Sequence, residues 1–178
     1  MTNNNFKNLS GYYFCFVYFP EKNSEVLKPF LSYYFVKNNK NLHVPFLDFD
    51  RVIPIPDSVE DENIQKWIEE NWKTGSNSFD SSVDDDGILF TVEKSAPTYL
   101  VKKLSEITKH KLKLLYVSID ENLCGEYLAY PDKDGVHMIY KPFIIEAPPQ
   151  IMDEIQHRFG INFTLSDDLK QMVDIGMN

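Results

Sequence analysis

An α+β fold, an antiparallel sheet with helices laid over it, is what this sequence predicts, on three observations. Strand-sized runs of aromatic and β-branched residues alternate with stretches whose apolar residues recur at helical spacing. The 178 residues are 43% apolar and 14% aromatic, enough for one substantial core, and a chain of this length buries roughly 70% of its unfolded surface. The order β-α-β, an acidic helix and loop, β-α-β-β, a further strand and a helical tail is that of split βαβ units and not of a meander.

The first strand is Tyr12–Phe19 (YYFCFVYF), closed by Pro20. Tyr13, Cys15, Val17 and Phe19 fall on one face and Tyr12, Phe14, Phe16 and Tyr18 on the other, so the strand is central and covered on both sides, or has an exposed aromatic face. Ser24 offers an N-cap to a helix over 24–37, where Leu27, Phe30, Leu31, Tyr34 and Phe35 form one stripe. A polar linker at 38–41 leads to Pro45–Pro56, where Leu47, Phe49, Val52, Ile53 and Ile55 predict a short strand held to an edge by its prolines. Ser58 and Asp61 have capping-box-like spacing before a helix carrying Ile64, Trp67, Ile68 and Trp72 on one face. Residues 73–87, rich in Gly, Ser, Asn and Asp, predict a long surface loop.

Ile88–Val92 reads as a strand, and Ser95 with Pro97 opens a helix with Leu100, Leu104 and Ile107 inward. Lys102, Lys103, Lys109, Lys111 and Lys113 crowd its far end, where cations complement the helix dipole. Leu112–Ile119 and Leu123–Tyr130 form a hairpin, a turn over 131–135 follows, and Val136–Ile145 is a further strand. Pro148 and Pro149 introduce a helix to Phe159, stopped by Gly160, and 167–173 is a last short helix. The whole predicts a ferredoxin-like α+β sandwich over 1–146, with an acidic helix and loop inserted at 57–87 and a helical extension over 147–178.

Charge is unevenly placed. Between Asp57 and Glu93 there are eleven acids against Lys66 and Lys73, which accounts for the entire formal charge of −9; the other 16 acids and 16 bases balance. Such a field repels nucleic acid and attracts basic partners, so direct nucleic-acid binding is not expected. The residues expected to contact a partner are Glu69, Glu70, Asp80, Asp84, Asp85 and Asp86. A solvated acidic face with no partner is the plainer alternative.

No catalytic, metal or cofactor site is expected. His43, His110, His137 and His157 are scattered without zinc-ligand spacing. Asp84–Gly87 superficially resembles a calcium loop, but counting from Asp84 puts Ser95 where the distal glutamate belongs. The seven glycines are isolated, so no phosphate-cradling loop exists, and Glu69 and Glu70 point to different parts of a helix surface. Cys15 and Cys124 sit in apolar, strand-like surroundings and read as buried free thiols. No stretch approaches the roughly 18 apolar residues that cross a bilayer, so no membrane partner is expected. Surplus aromatics and edge strands are compatible with a homodimer.

At Phe49–Pro56 (FDRVIPIP) the chain resembles the YubB-like family of plasmid, phage and bacterial proteins, whose members carry an F-x-R-I-I-P-M-P type segment. Phe49, Arg51, Pro54 and Pro56 match it. Trp72, Thr74 and Asn77 correspond to a W-G-T-K-W-N type motif, and Thr91, Ser95 and Pro97 to a T-A-W-S-P-P type helix start lacking its central tryptophan. The similarity runs over about residues 46–135. It implies a ferredoxin-like domain and a mobile-element origin, and transfers no catalytic residue. Trp72 and Arg51 also have a structural reading, as a Trp on a helix face and an Arg pairing with a loop carboxylate.

Charge and resemblance together lead to an expected function: a non-enzymatic phage or plasmid protein, in the cytoplasm of a bacterial host, that binds a host protein with a basic surface. Inhibition of a nucleic-acid-handling defence system such as CRISPR or restriction machinery is its concrete form. The alternatives are a small-molecule or nucleotide binder using the aromatic sheet or a pocket, and an enzyme whose site is assembled only in space.

Overall fold

The computed structural model describes residues 11–20, 35–37, 45–83, 87–121, 123–132, 135–143 and 149–159. In chain order its elements are β1 (Tyr12–Tyr18), β2 (Phe35–Lys37), β3 (Pro45–Leu47), α1 (Ile64–Asn71), β4 (Phe79–Val83), β5 (Gly87–Glu93), α2 (Thr98–Thr108), β6 (Leu112–Ser118), β7 (Leu123–Asp132), β8 (Gly135–Phe143) and α3 (Pro149–Phe159). The fold is α+β. Six strands form one sheet in the order β4-β5-β1-β6-β7-β8, every neighbouring pair antiparallel, and β2 pairs with β3 in a separate two-stranded ribbon.

β1 lies inside the sheet because it is apolar on both faces. It pairs with β5 on one side (Phe16 opposite Leu89) and with β6 on the other (Phe16 opposite Leu115). Since β5 and β6 both run antiparallel to β1, they are parallel to each other. The chain passes from one to the other through α2 across the intervening β1, which is a split βαβ crossover. Among the described residues this crossover occurs once. The flanking hairpins β4–β5 and β6–β7–β8 give a strand order different from the two interleaved crossovers of a simple ferredoxin-like sheet.

Both faces of the sheet are covered. On one, Tyr13, Cys15 and Val17 join Phe90, Val92, Leu114 and Tyr116 beneath Leu100, Val101 and Leu104 of α2, together with Leu47, Phe49, Val52 and Trp72. On the other, Phe16, Leu115, Val117 and Cys124 lie under Ile151 and Ile155 of α3. The expected core strand is therefore what β1 is, and its central aromatic Phe16 is fully buried. Gly87 is required where β5 meets the end of β1, because a Cβ there would strike the Val17 carbonyl oxygen and the Phe16 ring.

Several expectations change. Phe35–Lys37, assigned to the end of a helix, is β2, and the rest of that helix, the linker 38–41 and the helix at 167–173 lie outside the described residues. The apolar run 45–56 is a strand only to Leu47; a single 3-10 turn over Phe49–Arg51, with Asp48 capping it through the Asp50 N–H, replaces the remainder. The capping box at Ser58 does not form: a 3-10 turn over Asp61–Asn63 follows Glu60, and neither it nor α1 has a side-chain cap. The expected loop 73–87 contains β4 and a run of buried small residues, Thr74, Ser78 and Ser81. Polar composition hid these because hydroxyls satisfied by backbone partners cost little to bury.

In α2 the buried set is Leu100, Val101, Leu104 and Ser105, while Ile107 is 50% exposed, which turns the expected inner face by one position. Lys102 and Lys103 pair with Glu106, Lys109 closes the helix in a left-handed conformation (φ 58°), and Lys113 belongs to β6. The turn expected over 131–135 shrinks, since β7 runs to Asp132 and β8 starts at Gly135. Replacing Leu104 by Ala will lower stability to urea by about 2–5 kcal/mol, and Ile107→Ala will stay within about 0.5 kcal/mol; equal effects would contradict this placement of α2.

Candidate functional site

The residues matched to the family pattern converge on one corner, and they do so for packing. An aromatic ladder rises from the sheet: Phe90 meets Phe49 edge-to-face at 6.0 Å, Phe49 meets Trp72 at 5.8 Å, and Trp72 meets Trp67 at 5.9 Å. Trp72 is fully buried and its indole N–H donates to the Ile53 carbonyl at 2.9 Å. Asn77 is the polar hub. Its Oδ1 accepts from the backbone N–H of Phe49 (2.9 Å) and of Ser78 (2.8 Å), while its Nδ2 donates to Asp48 Oδ1 (2.9 Å). Ser78 Oγ donates to the Leu47 carbonyl at 2.6 Å.

The rest of the set ties this corner to the start of α2. Thr74 is buried and donates to the Ser76 carbonyl, Gly75 N–H donates to the Glu93 carbonyl at 2.7 Å, and Ser95 Oγ donates to the Lys73 carbonyl. A Cβ at Gly75 would press on Lys94 and Glu93. Lys73 and Lys94 both hold positive φ (62° and 68°), a conformation that surrounding contacts must enforce in residues with a Cβ. Thr91 is buried in β5, and Pro97 is buried just before α2. Pro54 and Pro56 are exposed, and Arg51, 44% exposed, reaches Asp48 at 3.7 Å. Trp72, Asn77, Thr74 and Ser95 thus hold loops to the sheet.

Of the six expected contact carboxylates, the three that are described, Glu69, Glu70 and Asp80, have separate surroundings. Glu69 accepts from Gln65 and pairs with Lys94, and these two partners hold its carboxyl below the usual range. Glu70 is exposed and lies 3.9 Å from Lys66. Asp80 is exposed on β4, at positive φ (48°), beside the break in register between Phe79 and Ser82. Asp84, Asp85 and Asp86 lie outside the described residues.

A different grouping is present. The segment before α1 and the helix itself enclose a surface concavity of about 310 Å³ lined by Ser58, Val59, Glu60, Asn63, Lys66, Trp67 and Glu70. Trp67, the outermost rung of the ladder, is half-buried there, and Asp57, Asp61 and Glu62 are exposed on the same segment. The sequence singles out Glu70 among these and places Trp67 on one helical face with Ile64, Ile68 and Trp72; the approach of Val59 and Glu60 to Trp67 has no sequence signal.

A second titratable cluster sits beside α3. Lys113 pairs with Glu126 across β6 and β7, and its ammonium lies 5.7 Å from the Tyr18 ring centre. Burial pushes the Tyr18 hydroxyl up to about 12, despite a hydrogen bond from Lys113, and Glu154 adds to the rise. Burial opposes the charge on Lys113, but Glu126 and Tyr18 outweigh it and hold the amine above its usual range. A protonated lysine beside a neutral phenol suits anchoring more than proton abstraction. Above the neighbouring Phe16 the Arg158 guanidinium stacks at 4.3 Å, so this aromatic face of the sheet is capped at its centre. Tyr12 packs edge-on against Phe79 at 5.7 Å.

Cys15 and Cys124 are free, buried thiols, Cys15 pushed up by burial and Cys124 raised to about 11 for the same reason. Among the described residues no group of three or more His, Cys, Asp or Glu side chains is placed to hold a metal, and no helix is long and apolar enough to cross a membrane. No protein-family model, curated protein or solved structure matches the chain.

Asn77→Ala will cost about 1–3 kcal/mol in chemical denaturation, since it strands the Phe49 N–H, whereas Arg51→Ala will cost no more than about 1 kcal/mol. Tyr18 is neutral in the fold and its pKa is raised from 10 to about 12, so its contribution is intact below pH 10 and is lost as pH rises through 12. Tyr18→Phe will therefore flatten the fall of stability over that alkaline range in urea titrations; an unchanged profile would remove Tyr18 from this role.

Proposed function

We propose that the protein is a non-enzymatic binding protein that docks its acidic segment 57–70 on a basic surface of another protein. The observation that carries this is the concavity between Val59 and Trp67, rimmed by Glu60 and Glu70. A tryptophan fixed from behind by the Phe90–Phe49–Trp72 ladder, beside carboxylates, suits an arginine or lysine side chain: the ring face attracts the cation and the carboxylates accept its hydrogen bonds. Lys66, which lies 3.9 Å from Glu70, is the internal cation that an incoming one would displace.

The excess of −9 between Asp57 and Glu93 extends the same complementarity over a larger area and raises the rate of encounter with a basic partner. Proteins that handle nucleic acid carry such basic grooves, and the resemblance to the YubB-like family supports a phage or plasmid origin. A host defence nuclease in the bacterial cytoplasm is accordingly the partner class we put forward. Two buried free thiols suit a reducing compartment. The split β5–α2–β6 crossover supports reading the sheet as an elaborated ferredoxin-like arrangement.

The protein immobilised on beads should capture a nucleic-acid-handling protein from bacterial lysate. The purified pair should weaken by about tenfold or more on Trp67→Ala, and Glu60→Gln with Glu70→Gln should flatten the salt dependence of binding without altering the fold. Capture of no such protein, or binding indifferent to both variants, would sink the proposal.

A further inference from the structure

The sheet ends on two edges of different construction. β4 is five residues long, its register with β5 breaks between Phe79 and Ser82, and it exposes Asp80. Short, irregular and charged edges resist pairing with other chains. β8 runs nine residues in unbroken register with β7, from Gly135 opposite Asp132 to Phe143 opposite Cys124, and no described strand pairs with its outer side. Ile139, midway along it, is 43% exposed.

The prolines reveal which backbone groups of β8 face outward. Opposed residues in an antiparallel pair alternate between those that exchange both N–H···O bonds and those whose polar groups point away. Proline has no N–H and cannot complete an exchanging pair. Pro142 opposes Gly125, and Pro131 opposes Val136, so both pairs are non-exchanging. They fall in the same alternate set, which also contains Met138 and Tyr140. Gly135 and Asp132, the end pair of the two strands, fall in the exchanging set. The N–H and C=O of Val136, Met138 and Tyr140 therefore point away from β7, and Pro142 ends the series by offering no donor.

We infer that this edge pairs with the same edge of a second copy, antiparallel about a two-fold axis at Met138. Centred there, Met138 exchanges both bonds with its counterpart, and Val136 exchanges both with Tyr140 of the second copy. Gly135 stands opposite Lys141, and Pro142 lies just outside. Moving the axis towards Phe143 brings Pro142 opposite an outward-facing residue, and moving it the other way carries the partner past Gly135, where β8 begins. The open stretch is thus self-complementary in one register. Between Gly135 and Tyr140 it has no carboxylate or ammonium to repel its copy. His137 is held at the hairpin tip by Asp132 and stacks on Tyr130 at 5.4 Å, so the edge is braced before it pairs. Isologous pairing of this kind closes after two copies, and the edges it leaves are the short, irregular β4 strands.

Sedimentation of the full chain should give a reversible dimer. Met138→Pro removes an outward N–H from each copy and spares the β7 ladder, and should weaken association at least roughly tenfold. Ile139→Lys, on an exposed side chain, should do the same and decides the matter if the proline variant fails to fold. Under mild oxidation Met138→Cys should cross-link to its own copy and Val136→Cys should not. A monomer at roughly 100 µM, or a dimer indifferent to Ile139→Lys and without the position-138 cross-link, would overturn the inference.

Discussion

A strand that is hydrogen-bonded on both edges and apolar on both faces cannot be left open to water on any side, and β1 is such a strand. With Cys15 and Phe16 fully buried, neighbouring residues of opposite orientation both demand cover. Each remaining layer answers one part of that demand. β5 and β6 take its polar edges, α2 and the 47–72 corner take one face, and α3 takes the other. The close approach at Gly87 follows from the same requirement, because β5 must lie flush against the end of β1.

The corner built from 47–53 and 72–78 shows how a polar stretch can be interior. Asn77 accepts from two of its N–H groups, and the hydroxyls of Ser78, Thr74 and Ser95 donate to its carbonyls, so burial there strands little of their hydrogen-bonding capacity. The rings of Trp72 and Phe49 fill the space behind. Rigidity at this corner matters for the binding role because Trp67 is its outermost part: an anchor ring ordered in advance loses less freedom when a partner arrives.

Among the described residues, part of the acidic window is paired locally. Lys94, just beyond the acidic window, reaches back to Glu69, and Lys66 lies beside Glu70. Among the described residues, Asp57, Glu60, Asp61 and Glu62 are exposed together on the segment that leads into α1, and Asp80 is exposed apart from them on β4. Long-range attraction depends on the total charge, which these pairings leave intact, whereas the point of contact depends on which carboxylates are still available.

Much of the fold was legible in the sequence. β1, β5, β6, β7, α2 and α3 announce themselves through runs and stripes: an unbroken apolar run where layers cover both faces, as at β1, and a helical stripe where one layer lies alongside, as at α2. The same holds for the placement of excess charge and for the burial of both cysteines. Tertiary structure alone decided the strand order, the status of 73–83 as inner corner and edge strand, the rotation of α2 that exposes Ile107, and the meeting of Val59 with Trp67. These depend on contacts between residues distant along the chain, where the hydrogen-bond partner of a serine or asparagine, and not its own polarity, determines whether it can lie inside.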